Sequence, residues 1–186
     1  MKYVALLRGI NVGGKNPVKM SELKACFEGM GFKEVATLLH SGNVLFSTNE
    51  RRADRLTEKI EKGLSNSFNY KSSVVVVSHE QFRSVVREAP RGFGTEPTRY
   101  RYDVIFLKKP LSPHEAINNT SVKEGLDEVS KGKEVLYTSR LNSKASQSRL
   151  PRITMTPVYQ SITIRNWNTT TRLLSLIETT PKNEKS

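Results

Sequence analysis

The apolar residues in the first half of the chain alternate between strand patterns and helix patterns. Largely apolar runs at 3–7, 35–39, 44–47 and 74–77 predict four strands, and the first run is apolar on both faces. Apolar residues three or four positions apart predict two intervening helices, which carry Met20, Leu23, Phe27 and Met30, and then Leu56, Ile60, Leu64 and Phe68. The resulting order is β-α-β-β-α-β, the split arrangement of ferredoxin-like proteins.

The second half shows the same order with one further helix. Strands are predicted at 102–107, 126–129, 134–137 and 159–165. Ser112-Pro113-His114-Glu115 has the form of a capping box with proline at the first helical position, which predicts the start of a helix. Further helices are expected over 143–150 and after Asn168 or Thr169, because both residue types are typical N-caps.

These patterns predict an α+β protein of two ferredoxin-like plait domains in tandem, each built on an antiparallel sheet. Residues 1–88 form the first plait, and residues 99–178 form the second with an extra C-terminal helix. The stretch 89–98 contains two prolines and two glycines without apolar periodicity, so it is the predicted linker. Residues 179–186 are polar and predict a frayed tail.

A loop rich in glycine and asparagine, residues 8–16, follows the first predicted strand. In the predicted topology this loop and the hairpin turn at 41–43 emerge at the same end of the sheet. Glycine amides beside cations are typical of an anion-binding loop. The predicted anion site comprises Arg8, Asn11, Gly13, Gly14, Lys15, Ser41 and Asn43. The alternative is that these residues only form tight turns and cap the next helix, with the cations solvated.

The same loop differs by one residue from the P-loop pattern of nucleotide-hydrolysing enzymes, G-x-x-x-x-G-K-[ST]. Gly9, Gly14 and Lys15 match the pattern, but Asn16 stands where a hydroxyl group would coordinate magnesium. Pro17 follows at once, inside the first turns of what would be the phosphate-binding helix. These differences argue against hydrolysis of a nucleoside triphosphate by this loop.

A second polar patch lies just before the predicted last helix and consists of Arg165, Asn166 and Trp167. These side chains are candidates to line a groove. The alternative is that Trp167 packs on the helix that follows it, as a hydrophobic staple does.

The charge balance extends the range of partners. The 186 residues carry a net charge of +12, which favours anionic metabolites or nucleic acid, although a basic surface also serves solubility alone. Recognition of RNA by the sheet face is not expected, because the basic and aromatic motif of RNA-recognition plaits is missing. The three histidines are scattered without metal-ligand spacing, so neither a metal nor a cofactor is predicted.

The expected cellular location follows from the scarcity of cysteine and of long apolar runs in the sequence. Cys26 is the only cysteine, which excludes an intramolecular disulfide and fits the cytoplasm. The apolar run at 3–7 is too short for a signal peptide, and no run has the length of a membrane span. We therefore expect a cytoplasmic protein that does not enter a membrane.

Three segments carry a resemblance to a known family. The stretches 7–16 (LRGINVGGKN), 41–44 (SGNV) and 163–169 (TIRNWNT) resemble the signatures of the bacterial domain-of-unknown-function family numbered 1697. The resemblance implies two ferredoxin-like plaits and supplies no established activity, cofactor or catalytic residue. The glycine loop and the Ser-Gly-Asn turn are both intact here.

Three functions are consistent with the sequence. The leading hypothesis is a binding protein that holds a phosphate-bearing small ligand at the glycine loop and the turn at 41–43. The first alternative is an enzyme that acts on a phosphorylated metabolite, although no general base is evident. The second is a nucleic-acid-associated protein that works through its net charge.

Overall fold

The computed structural model describes residues 1–11, 17–38, 42–69 and 71–179. Within them the protein is α+β with two four-stranded antiparallel sheets. The chain divides into two compact units, one formed by Met1–Arg83 with the residues from Thr171 onward, and the other by Ser84–Thr170. This division places most of the last helix with the first unit, whereas the sequence assigned that helix to the second domain. The predicted domain ranges 1–88 and 99–178 stay a prediction. Of the predicted tail at 179–186, only Thr179 is among the described residues.

The first unit contains the elements expected from the apolar pattern. They are β1 (Lys2–Arg8), α1 (Met20–Gly29), β2 (Lys33–Leu38), β3 (Asn43–Ser47), α2 (Ala53–Phe68) and β4 (Ser73–Ser78), followed by α3 (His79–Arg87). The strand order in the sheet is β2-β3-β1-β4, and all neighbours are antiparallel. β1 is buried on both faces, as its unbroken apolar run predicted.

An aromatic cluster forms the centre of the first core. The Phe46 ring lies 4.5 Å from Phe32, 5.6 Å from Tyr3 and 5.7 Å from Phe27, measured between ring centroids. The helices contribute aliphatic side chains to the same cluster, including Leu23, Leu56, Ile60 and Leu64. The helical stripes identified in the sequence therefore face the sheet.

The second unit repeats the strand order but not every helix. It contains β5 (Tyr100–Leu107), α4 (Pro113–Asn118), β6 (Asp127–Lys131), β7 (Val135–Leu141), β8 (Ile162–Asn166) and the start of α5 (Trp167–Thr179), with strand order β6-β7-β5-β8. The predicted start of α4 is confirmed, because Ser112 Oγ accepts a hydrogen bond of 3.2 Å from the Glu115 amide.

The helix predicted over 143–150 is wrong. Three 3-10 segments occupy this part of the chain instead: Asn142–Gln147, Leu150–Met155 and Pro157–Ser161. Pro151 and Pro157 lack the amide donors that a continuing helix needs, and the serines between 143 and 148 compete for backbone hydrogen bonds. For the same reason the strand predicted at 159–165 begins only at Ile162.

Replacing Phe46 by alanine tests the first core. The ring is 2% exposed and contacts three other rings, so we expect the free energy of unfolding to fall by about 3–5 kcal/mol. Urea titration followed by circular dichroism measures the change. Met155, which is 78% exposed, is the control, and Met155→Ala should leave the midpoint unchanged. Equal midpoints for Phe46→Ala and the unmodified protein would contradict the assignment of this core.

Candidate functional site

Two turns meet at one end of the first sheet. The pairing of β1 with β3 runs from Lys2–Ser47 to Leu6–Asn43, so the turn before β3 lies beside the end of β1. The Leu7 amide donates a hydrogen bond of 2.8 Å to the Gly42 carbonyl. The sequence predicted that Arg8 and Gly9 lie near Gly42 and Asn43, and the strand register confirms that the end of β1 lies beside the start of β3.

Gly42 packs directly against the start of the glycine loop. Its φ is +69°, a backbone conformation that residues other than glycine rarely adopt. A Cβ at this position would lie 2.9 Å from Leu7 Cβ and equally close to the Ile10 side chain. Ile10 is itself buried, so neither neighbour moves away cheaply. The turn and the loop are therefore held together by close packing as well as by the backbone hydrogen bond.

The two predicted asparagine ligands stabilise the backbone near the turns, which is consistent with the alternative interpretation of this loop. Asn11 accepts a hydrogen bond of 2.8 Å from the Val18 amide and donates one of 2.9 Å to the Val18 carbonyl. The Asn43 side chain is fully buried and donates a 3.0 Å hydrogen bond to the Leu38 carbonyl across the β2–β3 hairpin. Both side chains therefore hold the backbone around the predicted site.

Arg8 brings positive charge to this end of the sheet. It is the last residue of β1, is half-buried and lies opposite Ser73 of β4. The remaining predicted members of the site, Gly13, Gly14, Lys15 and Ser41, lie outside the described residues.

A pocket of about 210 Å³ lies in the second unit. It is lined by Pro97, Tyr100, Arg101, Tyr102, Asn142, Asn166, Trp167 and Asn168. Two of these residues, Asn166 and Trp167, belong to the second patch proposed from the sequence. The third member of that patch, Arg165, is not part of the lining.

The pocket exists because β5 is longer than the partner strand beside it. The pairing of β5 with β8 ends at Asp103–Asn166, whereas β5 itself begins at Tyr100. The chain turns into α5 at Trp167, so β8 does not cover the first residues of β5. The uncovered start of β5 could not be predicted from the sequence, because it depends on the register between β5 and β8, which are distant along the chain.

Asn166 joins the end of β8 to the start of α5. Its Nδ2 donates a hydrogen bond of 3.0 Å to the Tyr102 carbonyl, and its Oδ1 accepts one of 3.0 Å from the Asn168 amide. Asn166 is therefore the capping residue of α5, and the predicted caps Asn168 and Thr169 are wrong by two or three positions.

The indole of Trp167 occupies a space that exists only because residue 94 is glycine. Its ring meets Phe93 edge-on at 5.0 Å and 85°. A Cβ on Gly94 would lie 2.1 Å from the indole Nε1, so any side chain at position 94 would displace the indole. Both Phe93 and Gly94 fall within the predicted linker, which explains why the sequence did not identify them as partners of Trp167.

Two arginines of this unit differ in their surroundings. Arg101 Nε donates a hydrogen bond of 2.7 Å to Asp103 Oδ2, and this contact raises the pKa of Arg101. Burial instead lowers the pKa of Arg165 to about 10. Arg165 Nη1 donates to the Ile164 carbonyl at 2.9 Å. Arg101 is thus the cation among the lining residues. Its side chain leaves β5 on the face opposite Tyr100 and Tyr102, and residues of both faces line the pocket because β8 does not cover this edge of β5.

Of the comparisons with known proteins, one identifies a family and another a similar structure. The model of the family described as "Protein of unknown function (DUF1697)" matches residues 1–137. A solved structure, conserved bacterial protein SP0830 from Streptococcus pneumoniae, is similar with a TM-score of 0.82 and 25% sequence identity, covering 95% of this chain and 98% of that chain. No curated protein matches the sequence.

The described residues contain neither a membrane-spanning helix nor a metal-binding cluster of side chains. None of the described helices combines the length and the apolar character needed to cross a membrane. Within the ranges that the structure describes, no three His, Cys, Asp or Glu side chains gather in a way that could hold a metal ion.

Replacing Gly42 by alanine tests the packing of the two turns. The added Cβ meets Leu7 and Ile10 and is strained at a φ of +69°, so we expect a loss of about 1–3 kcal/mol in the free energy of unfolding. Gly29→Ala is the matched control, because Gly29 ends α1 with open space around it and should tolerate a methyl group. Thermal unfolding of both variants measures the difference. A Gly42→Ala protein as stable as Gly29→Ala would refute the close packing.

Proposed function

This chain belongs to the DUF1697 family of proteins of unknown function, and we propose that it binds a phosphate-bearing small molecule at the end of its first sheet. The observation that carries the proposal is the hydrogen bond of 2.8 Å between the Leu7 amide and the Gly42 carbonyl. It brings a second turn beside the strand end that carries Arg8. A ligand at this edge would therefore meet two turns at once.

The chemistry of the edge favours an anion. Arg8 supplies a guanidinium group, which forms strong charge-assisted hydrogen bonds with phosphate oxygens. In the proposed complex Lys15 adds a second cation, and the amides of Gly13 and Gly14 turn toward the ligand. Asn11 and Asn43 serve indirectly, since their hydrogen bonds to Val18 and Leu38 keep the two turns in place.

We also propose that both units are ferredoxin-like plaits. The strand orders β2-β3-β1-β4 and β6-β7-β5-β8 support this, because the first strand of each unit lies between its third and its fourth. In this topology the loop after the first strand and the turn before the third share one end of the sheet, which is the geometry that the anion site uses.

Replacing Arg8 by glutamine tests the proposed site. A thermal-shift screen of inorganic phosphate, sugar phosphates and nucleotides identifies a ligand, and isothermal titration then measures its dissociation constant. Loss of a hydrogen bond between charged groups is expected to weaken binding by about tenfold or more. Arg51→Gln is the matched control: it removes the same charge from an exposed position after the opposite end of β3. Equal affinities of the two variants, or no ligand from the panel, would overturn the proposal.

The net charge of +12 favours nucleic acid as the second candidate partner. Binding through phosphate contacts should weaken steeply with salt, by about 0.7 log units in affinity per log unit of salt for each contacted phosphate of a single strand. Fluorescence anisotropy of a labelled oligonucleotide at several salt concentrations measures this slope. A small ligand in a defined site would show a much weaker salt dependence, and turnover of a phosphorylated compound that is lost in Arg8→Gln would indicate an enzyme instead.

A further inference from the structure

The pocket in the second unit has the features of a separate ligand site. It lies beside the uncovered start of β5, where β8 has ended and α5 begins. None of its lining residues belongs to the anion site proposed above, so an inference about the pocket does not depend on that site. Its residues combine a cation, amide side chains and aromatic side chains, which together restrict the chemistry of a ligand.

Arg101 is oriented toward an anion by its neighbour. Asp103 accepts a hydrogen bond from the Nε atom only, and among the described residues no group accepts one from the two Nη atoms. The guanidinium is 47% exposed, so its Nη donors are accessible. A guanidinium that is fixed through Nε presents a pre-oriented pair of donors, which suits the oxygens of a phosphate group.

A second cation lies on the neighbouring strand, close to two carboxylates. Arg140 lies directly opposite Arg101 in the pairing of β5 with β7. Like charges in this position repel each other. Asp127 lies opposite Arg140 on β6, but its Oδ2 already accepts hydrogen bonds from the amides of Lys123 and Arg149. The carboxylates of Asp103 and Asp127 balance the two guanidinium charges, so Arg101 would bind a phosphate through its Nη hydrogen-bond donors and not through a local excess of positive charge.

The other lining residues suit a planar ring. Trp167 is half-buried, and Phe93 and Gly94 hold its indole rigidly at the pocket wall. An indole held in this way offers a flat stacking surface for a base. Asn142 Nδ2 donates to the carbonyls of Pro97 and Thr98, which orients the Oδ1 atom as an acceptor for the edge of such a ring.

We propose that this pocket binds one mononucleotide unit, with the phosphate at Arg101 and the base against Trp167. A volume of about 210 Å³ is smaller than the roughly 300–1,000 Å³ typical of sites that enclose drug-sized ligands, so the ligand is at most one such unit and is only partly enclosed. The unit comes either from a free mononucleotide or from one position of a single-stranded nucleic acid. Both sources present the same base and phosphate to the pocket.

The chain contains an internal probe for this proposal. Trp167 is its only tryptophan, so fluorescence excited selectively in the indole band reports on this pocket alone. The full-length protein is titrated with uridine monophosphate, with uridine, with inorganic phosphate and with a short oligouridylate. We expect the monophosphate to change the emission at concentrations near or below about 1 mM, and uridine and phosphate each to bind at least about tenfold more weakly.

Two variants connect the signal to the pocket. Arg101→Gln removes the cation and should weaken binding of uridine monophosphate by about tenfold or more. Asn142→Asp adds a negative charge to the pocket and should weaken binding; because it also removes the amide donor to the Pro97 and Thr98 carbonyls, thermal unfolding of this variant checks that the fold is kept. Arg152→Gln removes the same charge from an exposed 3-10 segment outside the pocket and is the control, with unchanged affinity expected. Arg8→Gln should also leave this signal unchanged, which separates failure of this proposal from failure of the first.

The titrations distinguish the source of the nucleotide and can contradict the proposal. If the oligouridylate binds more tightly than the monophosphate and loses its advantage in salt, the unit comes from a nucleic acid, and otherwise from a free nucleotide. The proposal is overturned if neither compound changes the emission, if uridine or phosphate alone binds as well as the monophosphate, or if Arg101→Gln and Asn142→Asp both behave like Arg152→Gln.

Discussion

Each sheet depends on a first strand that is paired along both edges. β1 is hydrogen-bonded to β3 on one side and β4 on the other, and β5 is held in the same way by β7 and β8. A strand in this position is buried on both faces. The side chains of Val4, Leu6, Val104 and Ile105 are each at most 3% exposed. The register of its pairing then decides which turns, strand ends and helix starts meet at its two termini. Both candidate sites lie at such a terminus, the first after β1 and the second beside the start of β5.

The polar residues around the two sites share a division of tasks. Asparagine side chains are used mainly to hold backbone segments together: Asn11 closes a loop, Asn43 bridges a hairpin and Asn166 joins a strand to a helix. Arginine side chains supply the charge, from Arg8 in one unit and Arg101 in the other. An asparagine is short and offers both a donor and an acceptor, which suits it to backbone contacts. A guanidinium group on a long side chain is suited to binding an anion beyond the backbone, as proposed for both sites.

Local patterns were sufficient for most of the elements, and with the topology they predicted which strand ends meet. The apolar stripe from Leu56 to Leu64 and the Ser112 cap contain their structural information within a few residues. The meeting of Gly42 with Leu7 followed from topology alone, because any β-α-β-β order of this kind brings these two turns together. The helix predicted over 143–150 failed because apolar spacing was weighed without the prolines and serines around it. The sequence proposed Asn166 and Trp167 as groove residues, but the rest of the pocket lining was beyond prediction, since it depends on the unequal lengths of β5 and β8. The placement of Arg165 away from Asn166 was in principle predictable, because adjacent residues in a strand point to opposite faces.

The connection at Asn166 limits how such a protein can diversify. Strand β8 ends and helix α5 begins at consecutive residues, so no intervening loop is available to lengthen or shorten. In many enzymes new specificities arise when loops around a site grow or shrink. Here the distance across the pocket is set by a strand register and a helix start, both of which the core of the unit maintains. Relatives that recognise other molecules at this position would therefore have to do so by exchanging side chains on a constant frame.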